Sequence, residues 1–61
     1  MNDKLEKILR AAGELFKKFG IRNISMDDIS RDQGISKKTL YQYVSNKNDL
    51  IEKILDLLNI E

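Results

Sequence analysis

Cysteine, histidine and proline are all absent from this chain of 61 residues, and glycine occurs only three times. Without cysteine there is no disulfide staple and no thiol nucleophile. With histidine gone as well, the usual zinc sites and imidazole general bases are excluded together. Long apolar runs are also missing: the longest are pairs such as Ile8-Leu9 and Leu57-Leu58, which excludes a transmembrane helix. The opening Met1-Asn2-Asp3-Lys4-Leu5-Glu6 mixes both charges and leads into no apolar stretch, so it does not read as a signal peptide. The cytoplasm is the default expectation. A chain this short buries only about 60% of its unfolded surface. A catalytic cleft of about 300 Å³ or more beside a core is therefore not expected. No enzyme, cofactor or metal is read from it.

What is present is 41% hydrophobic and 34% charged residue, with 11 basic and 10 acidic side chains for a net charge of +1. That composition suits a helical globular domain and not a disordered tail. Leu5, Ile8, Leu9, Ala12, Leu15, Phe16 and Phe19 recur at helical spacing, one stripe facing a core. Lys17 and Lys18 followed by Gly20 mark the end, so the spacing predicts a first helix over Asp3 to Phe19.

Ser25 and Asp28 carry the pattern of a capping box that opens a second helix, and Gly34 stops it after Gln33. Asp27 and Asp28 are read as favourable charges at that helix start. Ser36 caps a third helix, with Leu40 and Val44 inward and Ser45-Asn46 breaking it. Asn46 with Asp49 repeats the box, and a fourth helix should run from Lys47 to about Asn59. Leu50, Ile54 and Leu58 are expected to serve the core, with Ile51, Leu55 and Leu57 on other faces. The fold class is all-α: a three-helix helix-turn-helix domain plus the start of a fourth, linking helix.

Charge sorts by segment. Residues 36–47 hold Lys37, Lys38 and Lys47 with no acid, whereas residues 48–61 set Lys53 against Asp49, Glu52, Asp56 and Glu61. The basic stretch is the third helix and the turn after it. Two short helices about a glycine turn, the second opening with a serine and two lysines, make a candidate helix-turn-helix over about 25–44. With Leu40 and Val44 inward, Lys38, Gln42 and Thr39 fall about 160°, 200° and 260° round the helix from Leu40. Tyr41 and Tyr43 flank the inner edge. Lysine, tyrosine and threonine suit phosphates; glutamine suits adenine and lysine suits guanine. About 12 Å of helix fits a groove about 12 Å wide.

These residues are also where a family shows. Ile8, Ala11-Ala12, Glu14-Leu15-Phe16, Phe19-Gly20 and Ser25-Met26-Asp27-Asp28-Ile29 carry it first. Gly34-Ile35-Ser36-Lys37, Thr39-Leu40-Tyr41-Gln42-Tyr43-Val44 and Asn46-Lys47-Asn48-Asp49-Leu50 continue it. The chain resembles, over residues 5–58, the N-terminal DNA-binding domain of the TetR family of bacterial transcriptional repressors. The resemblance implies a DNA-contacting set of Ser25, Met26, Ser36, Lys37, Lys38, Thr39, Tyr41, Gln42, Tyr43 and Lys47. Ser25 and Met26 would touch the backbone, Lys37, Lys38, Thr39 and Gln42 would face the major groove, and Tyr41, Tyr43 and Lys47 would hold phosphates. Ser30 and Gln33 stand where the family often has alanine, and Val44 where phenylalanine is common.

The resemblance further implies a double-stranded operator as partner, and a larger C-terminal domain that binds a small-molecule effector and forms a homodimer. The expected division is 1–46 as DNA-binding core and 47–61 as a link into that absent domain, the chain being a fragment or ordered part of a longer repressor. One alternative comes from the fourth helix, where seven of the eleven positions from Leu50 to Ile60 are apolar. That strip would suit a small protein-interaction module.

Overall fold

The computed structural model describes residues 3–58. Four α-helices appear in it, with no strand among the described residues: α1 Asp3–Phe19, α2 Met26–Gln33, α3 Lys37–Tyr43 and α4 Lys47–Leu58. A single 3₁₀ turn, Ile21–Asn23, links α1 to α2; three residues carry no period, so the sequence did not announce it. The expected extension of α4 to Asn59, and Ile60 of its apolar strip, lie outside the described residues.

α1 packs on α2 and α4, and α2 on α3. Ile8, Leu9 and Ala12 of α1 are buried against Ile29, Leu40, Val44, Leu50 and Ile54, with Ile24 and Met26 closing the edge. Leu9, Ile29, Leu40 and Leu50 are the largest fully buried side chains, each contributing about 2 kcal/mol by removal from water. One buried polar side chain, Ser30, donates its hydroxyl to the Asp27 carbonyl at 2.9 Å. That internal bond satisfies the hydroxyl where burial removes water.

Two expectations about core faces are corrected. Phe19 ends the α1 stripe yet is 55% exposed, because the helix stops there and the chain turns away at Gly20, whose φ of 91° no other residue adopts readily. On α4, Leu57 packs on the core and Leu58 is 73% exposed. The cause is geometric: at 3.6 residues per turn Leu57 returns to within about 20° of Leu50, whereas Leu58 has passed it by about 80°.

The space available also differs from expectation. An open groove of about 550 Å³ runs between α1 and α4, lined by Leu9, Gly13, Phe16, Ile21, Ile54, Leu55 and others. It is a mostly apolar surface furrow, and its titratable lining residues, Arg10, Glu14 and Lys17, all come from α1.

Candidate nucleic-acid interface

Ser25 and Asp28 form the predicted box. The Asp28 amide donates to Ser25 Oγ at 3.2 Å and the Ser25 amide to Asp28 Oδ2 at 2.9 Å. The Ser25 amide, then its hydroxyl, holds the Asp28 carboxyl below the usual aspartate range, with Arg31 and Lys47 adding to the effect. Met26, the first residue of α2, is buried, so its side chain belongs to the core.

At the other end Gly34 adopts a left-handed conformation, φ 70° and ψ 29°. Its amide donates to Arg31 O at 3.1 Å and the Ile35 amide to Ser30 O at 3.0 Å. These paired bonds close the helix at the glycine. Ser36 then caps α3: the Thr39 amide donates to Ser36 Oγ at 3.1 Å, and Ser36 Oγ donates to Thr39 Oγ1 at 3.0 Å. Ser36 and Thr39 hydroxyls thus serve each other first.

Seven residues make α3, about 10.5 Å of helix at 1.5 Å per residue. Leu40 is its buried anchor. Lys38, Gln42 and Tyr41 are exposed, Thr39 and Tyr43 are half-buried, and Tyr43 packs on the core. No acid lies on α3. Among the described residues, Lys38 and Gln42 have no hydrogen-bond or ion-pair partner, so their polar groups are open to a ligand. Lys37 instead pairs across the turn with Asp27, Nζ to Oδ1 at 3.3 Å. The expected role of Asp27, a favourable charge at a helix start, does not include this pair. A contact ten residues apart across a turn leaves no local pattern to find.

Lys47 is placed differently from the α3 group. Its ammonium donates to the Ile21 carbonyl and stands 5.8 Å from the centre of the Phe16 ring. It joins the start of α4 to the end of α1. The second capping box forms by half: the Asp49 amide donates to Asn46 Oδ1 at 2.8 Å, but the Asp49 carboxylate accepts from the Ser45 amide at 2.8 Å. Lys53 also bonds Asp49, at 2.8 and 2.9 Å. Lys53, then the Ser45 amide, holds the Asp49 carboxyl below the usual range.

Ser25, Ser36, Lys37, Lys38, Thr39, Tyr41 and Gln42 are thus gathered on or beside the α2–turn–α3 unit, with Tyr43 partly turned inward and Lys47 committed to the α1–α4 seam. Among the described residues no group of three acids could hold a metal ion, and no helix is long and apolar enough to cross a membrane. α3 is thus a short, capped, acid-free helix with Lys38, Tyr41 and Gln42 exposed. Residues 8–54 match the tetR family of bacterial regulatory proteins. The chain belongs to that family. It is 42% identical over 55 residues to the uncharacterized HTH-type transcriptional regulator YvdT of Bacillus subtilis (strain 168), covering 90% of this chain and 28% of that protein. It is 38% identical over 56 residues to an HTH-type transcriptional regulator of Staphylococcus aureus (strain USA300), covering 85% and 30% respectively. The chain therefore spans less than a third of the length of these relatives. No solved structure gives a significant match.

Proposed function

We propose that α2, the Gly34 turn and α3 form the helix-turn-helix, that α3 enters the major groove of double-stranded DNA, and that α4 leads into a further domain. The observation that carries this is the outer face of α3, where Lys38, Gln42 and Tyr41 are exposed beside the buried Leu40 and no acid intervenes. Gln42 reads adenine through its amide, Lys38 reads a guanine edge or a phosphate, and Thr39 offers a methyl to thymine. Tyr41, Tyr43 and the start of α2 at Ser25 and Met26 hold phosphates. Lys47 reaches a phosphate only by leaving the Ile21 carbonyl.

Within this reading residues 1–46 are the DNA-binding core and 47–61 the link. The whole protein is a cytoplasmic repressor, dimeric through its further domain and released from its operator by a small-molecule effector. Two heads on one dimer supply an affinity that one head lacks. Fluorescence anisotropy of a labelled duplex tests the head itself. With about three to five phosphates neutralised, log K falls against log salt with a slope of about −3 to −4.5. Lys38→Ala weakens binding, and Gln42→Ala relaxes base preference at one position by about 1–3 kcal/mol.

A second reading rests on Leu55 and Leu58, 58% and 73% exposed. A protein-interaction module using α4 predicts binding that salt does not weaken and that Lys37→Ala and Tyr43→Ala leave intact. Salt-insensitive binding with no loss in those variants favours it over DNA recognition.

A further inference from the structure

The Asp27–Lys37 pair spans the turn between α2 and α3 at 3.3 Å, with both side chains about half exposed, 55% and 52%. Asp27 suits the positive end of the α2 dipole, but that role does not require a partner across the turn. The capping box uses Asp28, and Arg31 also turns to Asp28, which leaves the Asp27 carboxylate to Lys37 alone among the described residues. Lys37 is the first residue of α3, a position where the helix dipole disfavours a cation. The lysine therefore does not stand there to stabilise its own helix.

From this we infer that Asp27 is a specificity-determining residue: an internal counterion that keeps Lys37 from gripping arbitrary phosphates. The inference rests on the reading of α3 as the groove helix. Sequence-independent affinity comes from cations that displace counterions from DNA, about 0.9 of a unit of salt slope for each phosphate neutralised. A lysine held by a neighbouring carboxylate enters that count only once the carboxylate is displaced. Moving it to a phosphate also strands Asp27 beside a polyanion. The exchange is favourable only when α3 is fully seated and Lys37 meets a base edge or a well-placed phosphate. Asp27 thereby lowers binding to random DNA more than binding to the operator.

The test is a salt titration of anisotropy with a mixed-sequence duplex, using the 61-residue chain as wild type, Asp27→Asn, Asp27→Glu, Lys37→Gln and the Asp27→Asn/Lys37→Gln double variant. Asp32→Asn controls for the loss of any one negative charge. The expected result for Asp27→Asn is a slope steeper by about 0.9. Its low-salt affinity for the mixed duplex should rise about two- to five-fold, the worth of an exposed pair. Asp27→Glu keeps the wild-type slope, and Asp27→Asn leaves the slope unchanged when Lys37 is already glutamine. An unchanged slope in Asp27→Asn, or an equal change in both backgrounds or in Asp32→Asn, overturns the inference while wild-type binding keeps the DNA reading. Absence of duplex binding by a folded wild type overturns both.

Discussion

Replacing Gly34 by alanine isolates the turn that sets α3 against α2. A Cβ built at Gly34 meets no atom within 4 Å, so the side chain itself clashes with nothing beyond its own backbone. What remains is conformation: φ 70° and ψ 29° lie in the left-handed region, which costs an L-residue about 1–2 kcal/mol. Narrowing of the unfolded chain returns about 0.4–1 kcal/mol. The net loss is about 1 kcal/mol, or a melting point lower by about 4–8 °C for a domain this small. Asparagine tolerates the left-handed region better than alanine, so Gly34→Asn should fall between the two. Thermal melts followed by far-ultraviolet circular dichroism read both variants. DNA affinity is then measured at a temperature where every variant is folded. The expected order is glycine, asparagine, alanine for stability, with Gly34→Ala also binding DNA more weakly because the 31–34 and 30–35 bonds that hold the turn are strained. A melting point unchanged or raised in Gly34→Ala would refute the argument, since the cost has no other source here.

Other consequences follow from the same geometry. Gly13 lies inside α1 and a Cβ there meets Ile54 Cγ2 at an ordinary 3.7 Å, so Gly13→Ala should stabilise by about 1 kcal/mol in denaturant melts. Leu40→Ala removes the fully buried anchor of α3 and should destabilise by about 2–5 kcal/mol, with DNA binding lost as α3 detaches. Lys47→Met keeps the stem but removes the bond to Ile21 and the charge over Phe16; it should lower stability by about 1 kcal/mol in thermal melts. Asp28 and Asp49 have folded pKa values below their unfolded ones. Their stabilisation is therefore complete above the unfolded value and lost as pH falls through the folded value, and an acid titration of the melting point should fall over that range. Asp28→Asn with Asp49→Asn should flatten it.

The helix bounds were legible because the signals are local. The α1 stripe with Gly20 behind it, and the caps at Ser25 and Ser36, each act within a turn of the residue that carries them. Leu58 was misplaced for a different reason. Counting by fours accumulates an angular error that only the packed neighbour corrects, and the same end effect exposes Phe19. The Lys47–Ile21 bond joins residues 26 apart and the Asp27–Lys37 pair crosses a turn. Neither has a period or a cap to betray it, so in a basic segment Lys47 reads simply as a phosphate ligand and Lys37 as a groove-facing cation. Charge counted along the chain cannot reveal which cations the fold has already neutralised.

An amide chemical-shift titration of the chain with a mixed-sequence duplex at low salt tests the central claim most directly, because it detects weak binding residue by residue. The account predicts shifts confined to residues 25–28 and 36–48, strongest around Lys38 and Gln42 and reversed by added salt. A folded chain with no shifts there, or with salt-insensitive shifts centred on Leu55 and Leu58, would contradict it.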